Sequence, residues 1–241
     1  GADYGWGLLW ALVLVNLFKY PFFRFGPRYA LATGESLLDG YHKLGESYLW
    51  IYFFLNIANM FTIQTAVTIV TAGLAANLFD TGANMIFWSI GITSICFIIL
   101  LIGKYKLLDK IIKIIIITLT ISTLLAVSMA FLNSGKNIDL LQVFPQGSGL
   151  LFVIAFMGWM PGPLDISIWH SVWALEKQKD NPQFKTKSGL FDFNIGYITT
   201  IILGLGFLAL GAFVLYNSGE KLEASASGFA SQLIYMYTSS L

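Results

Sequence analysis

Six apolar runs, each close to the length of a membrane crossing, leave this chain few folds to choose from. They span Trp6–Phe25, Trp50–Phe79, Ile86–Gly103, Leu107–Leu132, Gly149–Leu175 and Phe193–Tyr216; a seventh starts near Phe229 and continues to Leu241. The hydrocarbon core of a bilayer is about 30 Å thick and takes about 20 apolar residues of helix. No water inside it pairs an exposed amide, so such runs fold as helices that satisfy their own backbone. The expectation is an all-α polytopic bundle: a single transmembrane domain over residues 1–241, surrounded by the lipid bilayer. No hydrophilic stretch is long enough for a second domain. Charge agrees, since 11% of the residues are charged against about 25% in soluble domains.

The same inventory excludes several activities. The formal net charge is +1, so no field of one sign marks a nucleic-acid partner. Cys96 is the sole cysteine, which rules out an internal disulfide and a thiolate metal cage. No Gly-x-x-x-x-Gly-Lys loop occurs, so the chain has no ATPase of its own and no ATPase subunit is expected. Asp165 and the distant His170 do not make the paired acid and base that an enzyme at membrane depth needs. No enzyme activity and no cofactor are expected.

Lysine and arginine set the orientation. Twelve of the fourteen fall in the odd loops or the adjoining helix ends: Lys19, Arg24, Arg28 and Lys43; Lys104, Lys106, Lys110 and Lys113; Lys177, Lys179, Lys185 and Lys187. Lys136 and Lys221 are left for the even loops, and Asp80–Met85 has none. The positive-inside rule makes the odd loops cytoplasmic and places Gly1 outside, in a cell (inner) membrane. Gly1 is no start methionine, so an internal piece of a longer transporter-like chain is expected. A six-span protein with a cleaved signal is the competing reading.

One run contradicts itself. In "FMGWMPGPLDISIWHS" (Phe156–Ser171), Pro161 and Pro163 stand two residues apart in otherwise helical sequence. A proline removes the bond to the carbonyl four residues back. Pro161 therefore frees the carbonyl of Met157, and Pro163 that of Trp159. Gly158 and Gly162 loosen the backbone further. The prediction is two half-helices, Leu150–Met157 and Leu164–Leu175, with a break within about Met157–Pro163. Open backbone is tolerated at that depth only against protein or a water-filled cavity, and broken helices build midplane sites in secondary transporters. The first half-helix would aim its carbonyls at the gap, a partial negative charge suited to a cation. Met160 adds a thioether, a ligand for softer metals. Asp165 falls in the first turn of the second half-helix, where it either attracts a cation or caps the helix. His170, among Trp169, Ser171 and Trp173, reads as a packing residue.

These residues resemble a known family. "GLLFVIAFMGWMPGPLDISIWHS" is similar to the sixth helix of the Nramp divalent-metal transporters, where a Met-Pro pair sits in an unwound segment. "GWGLLWALVLVNLFKYPFFRFGPRYALATGESLLDG" resembles their second helix, "YKLLDKIIKIIIITLTIS" the start of the fifth, "FDFNIGYITTIILGLGFLALGAFVLY" the seventh and "FASQLIYMYTSSL" the start of the eighth. The likeness covers nearly the whole chain, as about helices two to eight. It implies the inverted-repeat fold also seen in LeuT, present in part. It also implies that the broken first and sixth helices hold a divalent metal ion as substrate. The sixth would supply the Met160 sulfur and the Met157 carbonyl. The first, with its Asp-Pro-Gly-Asn element, would lie before Gly1.

The chain departs from the family's pattern where Gly162 and Ser167 replace histidines, and where no acid lies between Glu46 and Asp80. Instead Asn56, Asn59, Thr62, Thr65, Thr68 and Thr71 recur every third residue; the row spirals round the helix, so only part of it can face one neighbour, and such residues commonly serve as interhelical hydrogen-bond groups. The resemblance thus implies transport of manganese- or iron(II)-like ions with the usual proton coupling in question. A magnesium carrier of the related branch and a LeuT-fold carrier of a small organic solute are the alternatives. Gly204, Gly206 and Gly211 are expected to permit close helix packing, and Asp192 to meet the positive end of the helix it begins.

Overall fold

The computed structural model describes residues 1–79, 85–134, 138–216 and 226–238. Asp80–Asn84, Lys136 and Lys221, on which part of the loop charge count rests, lie outside the described residues. The elements are α1 (Leu9–Thr33), α2 (Leu37–Leu44), α3 (Glu46–Leu78), α4 (Met85–Ser134), α5 (Ser148–Trp159), α6 (Ile166–Asp180), α7 (Thr186–Leu210) and α8 (Ala226–Thr238). A π-helical turn, Gly211–Leu215, continues α7. No strand occurs among the described residues, and the chain is the all-α polytopic bundle expected.

Among the described residues, four segments are long and apolar enough to cross a membrane: Glu46–Leu78, Met85–Ile102, Leu107–Asn133 and Thr186–Leu215. Six such spans were expected, and the difference has two causes. The run Gly149–Leu175 is split into α5 and α6, neither long enough alone. The run Trp6–Phe25 becomes α1, whose 25 residues rise about 37 Å but hold Lys19, Arg24 and Arg28 within the helix. All three lie inside α1 rather than in a loop or at its helix ends, with Lys19 mid-helix.

A second difference lies in α4. The turn expected between Ile86–Gly103 and Leu107–Leu132 is helical, giving one helix of 50 residues. At 1.5 Å per residue it extends about 75 Å, over twice a hydrocarbon core. No proline interrupts it, and a lone glycine such as Gly103 costs only about 1 kcal/mol against alanine. Lys113 bridges back to Asp109 at 2.6 Å across one turn.

The chain divides into two compact units. The first comprises Gly1–Trp6, Ala58–Asp139 and Gly206–Leu241. Its core joins Ala126 and Ala130 of α4 to Ala209 and Leu210 of α7, Phe213 and Leu215 of the π turn, and Met236 of α8. Gly206 admits Thr123, whose methyl would lie 2.8 Å from an added Cβ; Gly211 likewise admits the Ala2 nitrogen at 2.8 Å. The Thr123 and Tyr237 hydroxyls share a hydrogen bond of 2.7 Å. Three of the threonines in the row bond within α3 rather than between helices: Thr62 and Thr71 donate to carbonyls four residues back, and Thr68 accepts from Gln64.

The second unit, Gly7–Ile57 with Leu140–Leu205, is built around α1. Phe23 of α1 packs with Phe193 and Tyr197 of α7, and Ala30 and Leu31 with Ala174 of α6. Asp192 does not begin its helix, which starts at Thr186; it pairs instead with Lys177 at 2.7 Å. The side chain of Ser36 and that of Asp39 close a capping box over the start of α2. The Asp39 carboxylate accepts from the Ser36 hydroxyl at 2.6 Å and its amide at 2.8 Å. These bonds, the hydroxyl's first, hold the Asp39 carboxyl below the usual carboxylate range. A lowered folded-state pKa stabilises α2 above the ordinary carboxylate pKa, and that stability is lost as pH falls through the lowered value. Amide exchange over α2, corrected for intrinsic rates, should therefore accelerate on acidification. Asp39→Asn should remove most of that pH dependence; an unchanged profile would refute the assignment.

Candidate functional site

The second unit contains the break that the paired prolines predict. Helix α5 ends at Trp159, and the Met160 amide closes its last turn on the Phe156 carbonyl at 2.9 Å. Met160 itself is extended, with φ −91° and ψ 135°. Helix α6 begins at Ile166, so the non-helical stretch is Met160–Asp165, about three residues later than expected. The cause is local. A proline forces only the residue before it out of helical conformation, so the turn preceding Met160 survives. Pro163 follows two residues after Pro161, and the next helix starts only at Ile166. In α1, Pro21 and Pro27 stand six residues apart and each costs a single bond, and that helix continues through both.

The helix end leaves carbonyls without helical donors, and a cation occupies two of those at the break. The Lys19 ammonium, from α1, donates to the Gly158 carbonyl at 2.7 Å and to the Gly162 carbonyl at 3.1 Å. Sequence reasoning missed Lys19 because it was counted as a flanking charge. The signal was there: a lysine inside an apolar run is a functional candidate by default. The carbonyl expected to serve a metal, Met157, is adjacent to the one Lys19 engages.

Asp165 stands at the N-cap of α6, but its side chain makes no capping bond. Its Oδ1 is buried and without a hydrogen-bond partner, so Asp165 does not cap α6 through its side chain. Tyr52 and Asn56 line a cavity of about 350 Å³ with Leu38, Ile168, Trp169 and Val172. Asn16 of α1, 3% exposed, is similarly incomplete. Its amide nitrogen donates to the Leu12 carbonyl at 2.8 Å and its backbone carbonyl accepts from the Tyr197 hydroxyl at 2.7 Å, yet its Oδ1 is unpartnered. Buried polar atoms left so are few in native proteins.

Met160 turns towards α7. A Cβ added at Gly204 would lie 2.2 Å from the Met160 methyl and 3.8 Å from its sulfur, with Leu12 at 3.6 Å. His170 packs by ring contacts with Phe193 at 5.3 Å and Trp173 at 5.6 Å, as its aromatic surroundings suggested. The main chains of α1 and α6 come close at Gly26, where an added Cβ would fall 2.1 Å from the Ser167 carbonyl oxygen. No group of three or more His, Cys, Asp or Glu side chains comes together among the described residues. The break and the stretch of α1 that reaches it thus carry carbonyl, amide and thioether groups with one carboxylate.

Comparison with known proteins identifies the family. The family model described as natural resistance-associated macrophage protein-like matches residues 1–240. A protein of Pasteurella multocida (strain Pm70), described as uncharacterized, is 40% identical over 246 residues, covering all of this chain and 57% of that protein. The chain thus spans little more than half the length of that relative. No solved structure matches it significantly.

Proposed function

We propose, because the chain belongs to the natural resistance-associated macrophage protein-like family, that it moves divalent metal ions across a membrane by way of the broken helix. The observation that carries this reading is the pair of carbonyls at the break, Gly158 and Gly162, converging on a positive charge. Carbonyl dipoles that hold an ammonium also attract a metal cation. The unpaired Asp165 and Asn16 oxygens are hard ligands of the kind manganese, iron(II) and magnesium accept. The Met160 thioether favours manganese or iron(II). Its contact with Gly204 favours magnesium instead, if the sulfur only packs. A carboxylate-bearing solute fits less well, because Asp165 would repel it. On this reading the protein sits in a cell (inner) membrane with its odd loops cytoplasmic, which the distribution of lysine and arginine favours.

Coupling follows from the titratable groups. With glycine at 162, serine at 167 and no acid in Trp50–Phe79, metal passage should carry little obligatory proton flux. The test is uptake into proteoliposomes with a metal-quenched dye and a pH dye trapped inside. Manganese entry without acidification is the expected result. Absence of metal entry sinks the transport reading, and acidification at a fixed stoichiometry after correction for leak sinks the uncoupled one.

A further inference from the structure

The lysine at the break is more than a packing residue. Lys19 makes no ion pair among the described residues; its ammonium is held at the break by two neutral carbonyls. Carbonyl dipoles bind a doubly charged ion more strongly than a singly charged one at equal distance. Two cations cannot share one pair of carbonyls without strong mutual repulsion. The four-carbon lysine stem is flexible enough to swing its charge away. Asn16 lies one turn from Lys19 on the same face of α1, and its buried Oδ1 has no partner; nor has the buried Oδ1 of Asp165 across the break. These oxygens are acceptors that Lys19 leaves unsatisfied.

We propose that Lys19 is a tethered competitor of the transported ion: its ammonium and a divalent metal ion take turns on the Gly158 and Gly162 carbonyls. This rests on the metal-carrying reading above and adds a specificity determinant to it. An ion must evict Lys19 to bind, so ions that gain little from the carbonyls, monovalent ones above all, are rejected. On release of the metal, Lys19 returns and the carbonyls do not stay exposed.

Two measurements test this. Reductive methylation followed by mass spectrometry reads the reactivity of Lys19 in the wild-type protein in vesicles, with and without manganese. Lys43, held by Glu35, is the internal reference. Manganese should expose Lys19 and raise its labelling several-fold over that of Lys43; unchanged labelling under conditions of manganese uptake overturns the proposal. Uptake by Lys19→Met should show an apparent manganese affinity about tenfold tighter, equivalent to about 1.4 kcal/mol. Equal or weaker affinity overturns the proposal while leaving metal transport standing. If neither wild type nor Lys19→Met admits manganese and Lys19 labelling ignores the metal, the transport reading falls and this one with it. The labelling arm needs no variant, so a Lys19→Met protein that fails to fold does not decide the outcome.

Discussion

Gly26→Ala should cost about 3 kcal/mol or more and abolish metal uptake, because the new methyl has nowhere to go. Its position lies 2.1 Å from the Ser167 carbonyl oxygen of α6. Overpacking typically costs about 1–3 kcal/mol when side chains can shift. Here the obstacle is main chain at the start of a helix, so α1 and α6 must separate. The separation would also disturb the seat of Lys19, since α1 carries both residues. Gly158→Ala is the matched control: nothing lies within 4 Å of its added Cβ, and alanine suits the last turn of α5 better than glycine. Thermal melts in detergent should show a large fall for Gly26→Ala and little change for Gly158→Ala. Equal stability of Gly26→Ala and wild type would mean that α1 and α6 do not cross as described.

Met160→Ala should change which ion is preferred more than how much is carried. A thioether contributes to binding manganese or iron(II) and little to magnesium or calcium, which prefer oxygen. Loss of one contact worth about 1.4 kcal/mol shifts relative affinity about tenfold. The carbonyls and the Asp165 carboxylate stay in place, so total uptake should fall less. Competition of manganese uptake by excess magnesium, wild type beside Met160→Ala, reads the effect. Gly204→Ala supplies a second handle, because its methyl would meet the end of the flexible Met160 side chain. It displaces the sulfur without deleting it. If magnesium competes equally in all three proteins, the sulfur is packing and magnesium becomes the favoured cargo.

The break was legible because its cause is local. Pro161, Gly162 and Pro163 act within a turn of themselves, and no tertiary contact can restore an absent N–H. The close approaches at Gly204, Gly206 and Gly211 were also legible in kind, since glycine in an apolar helix marks a surface where something comes near. What came near was not legible: a thioether, a threonine methyl and a main-chain nitrogen. Lys19 shows the limit most clearly. Its contact joins residues 139 and 143 positions away, and counting charges by loop hid a lysine inside α1. The α4 turn was inferred from charge alone. Lysine is a good helix former, and a charged stretch without proline or a cap does not stop a helix.

The bond between Leu37 and Ser171 bears on how the second unit can move. The first amide of α2 donates to the Ser171 hydroxyl at 3.0 Å, and that hydroxyl donates in turn to the Ile168 carbonyl at 2.6 Å, with Ser171 wholly buried. One residue of rotation about the axis of α6 is about 100°. It would swing the hydroxyl away and strand the Leu37 amide where it had been buried. Helices α2 and α6 are thus geared together, and any bending is thrown onto Met160–Asp165, where the helical bonds already fail. A force on the short helix is delivered, as through a crank, to the joint that holds the lysine.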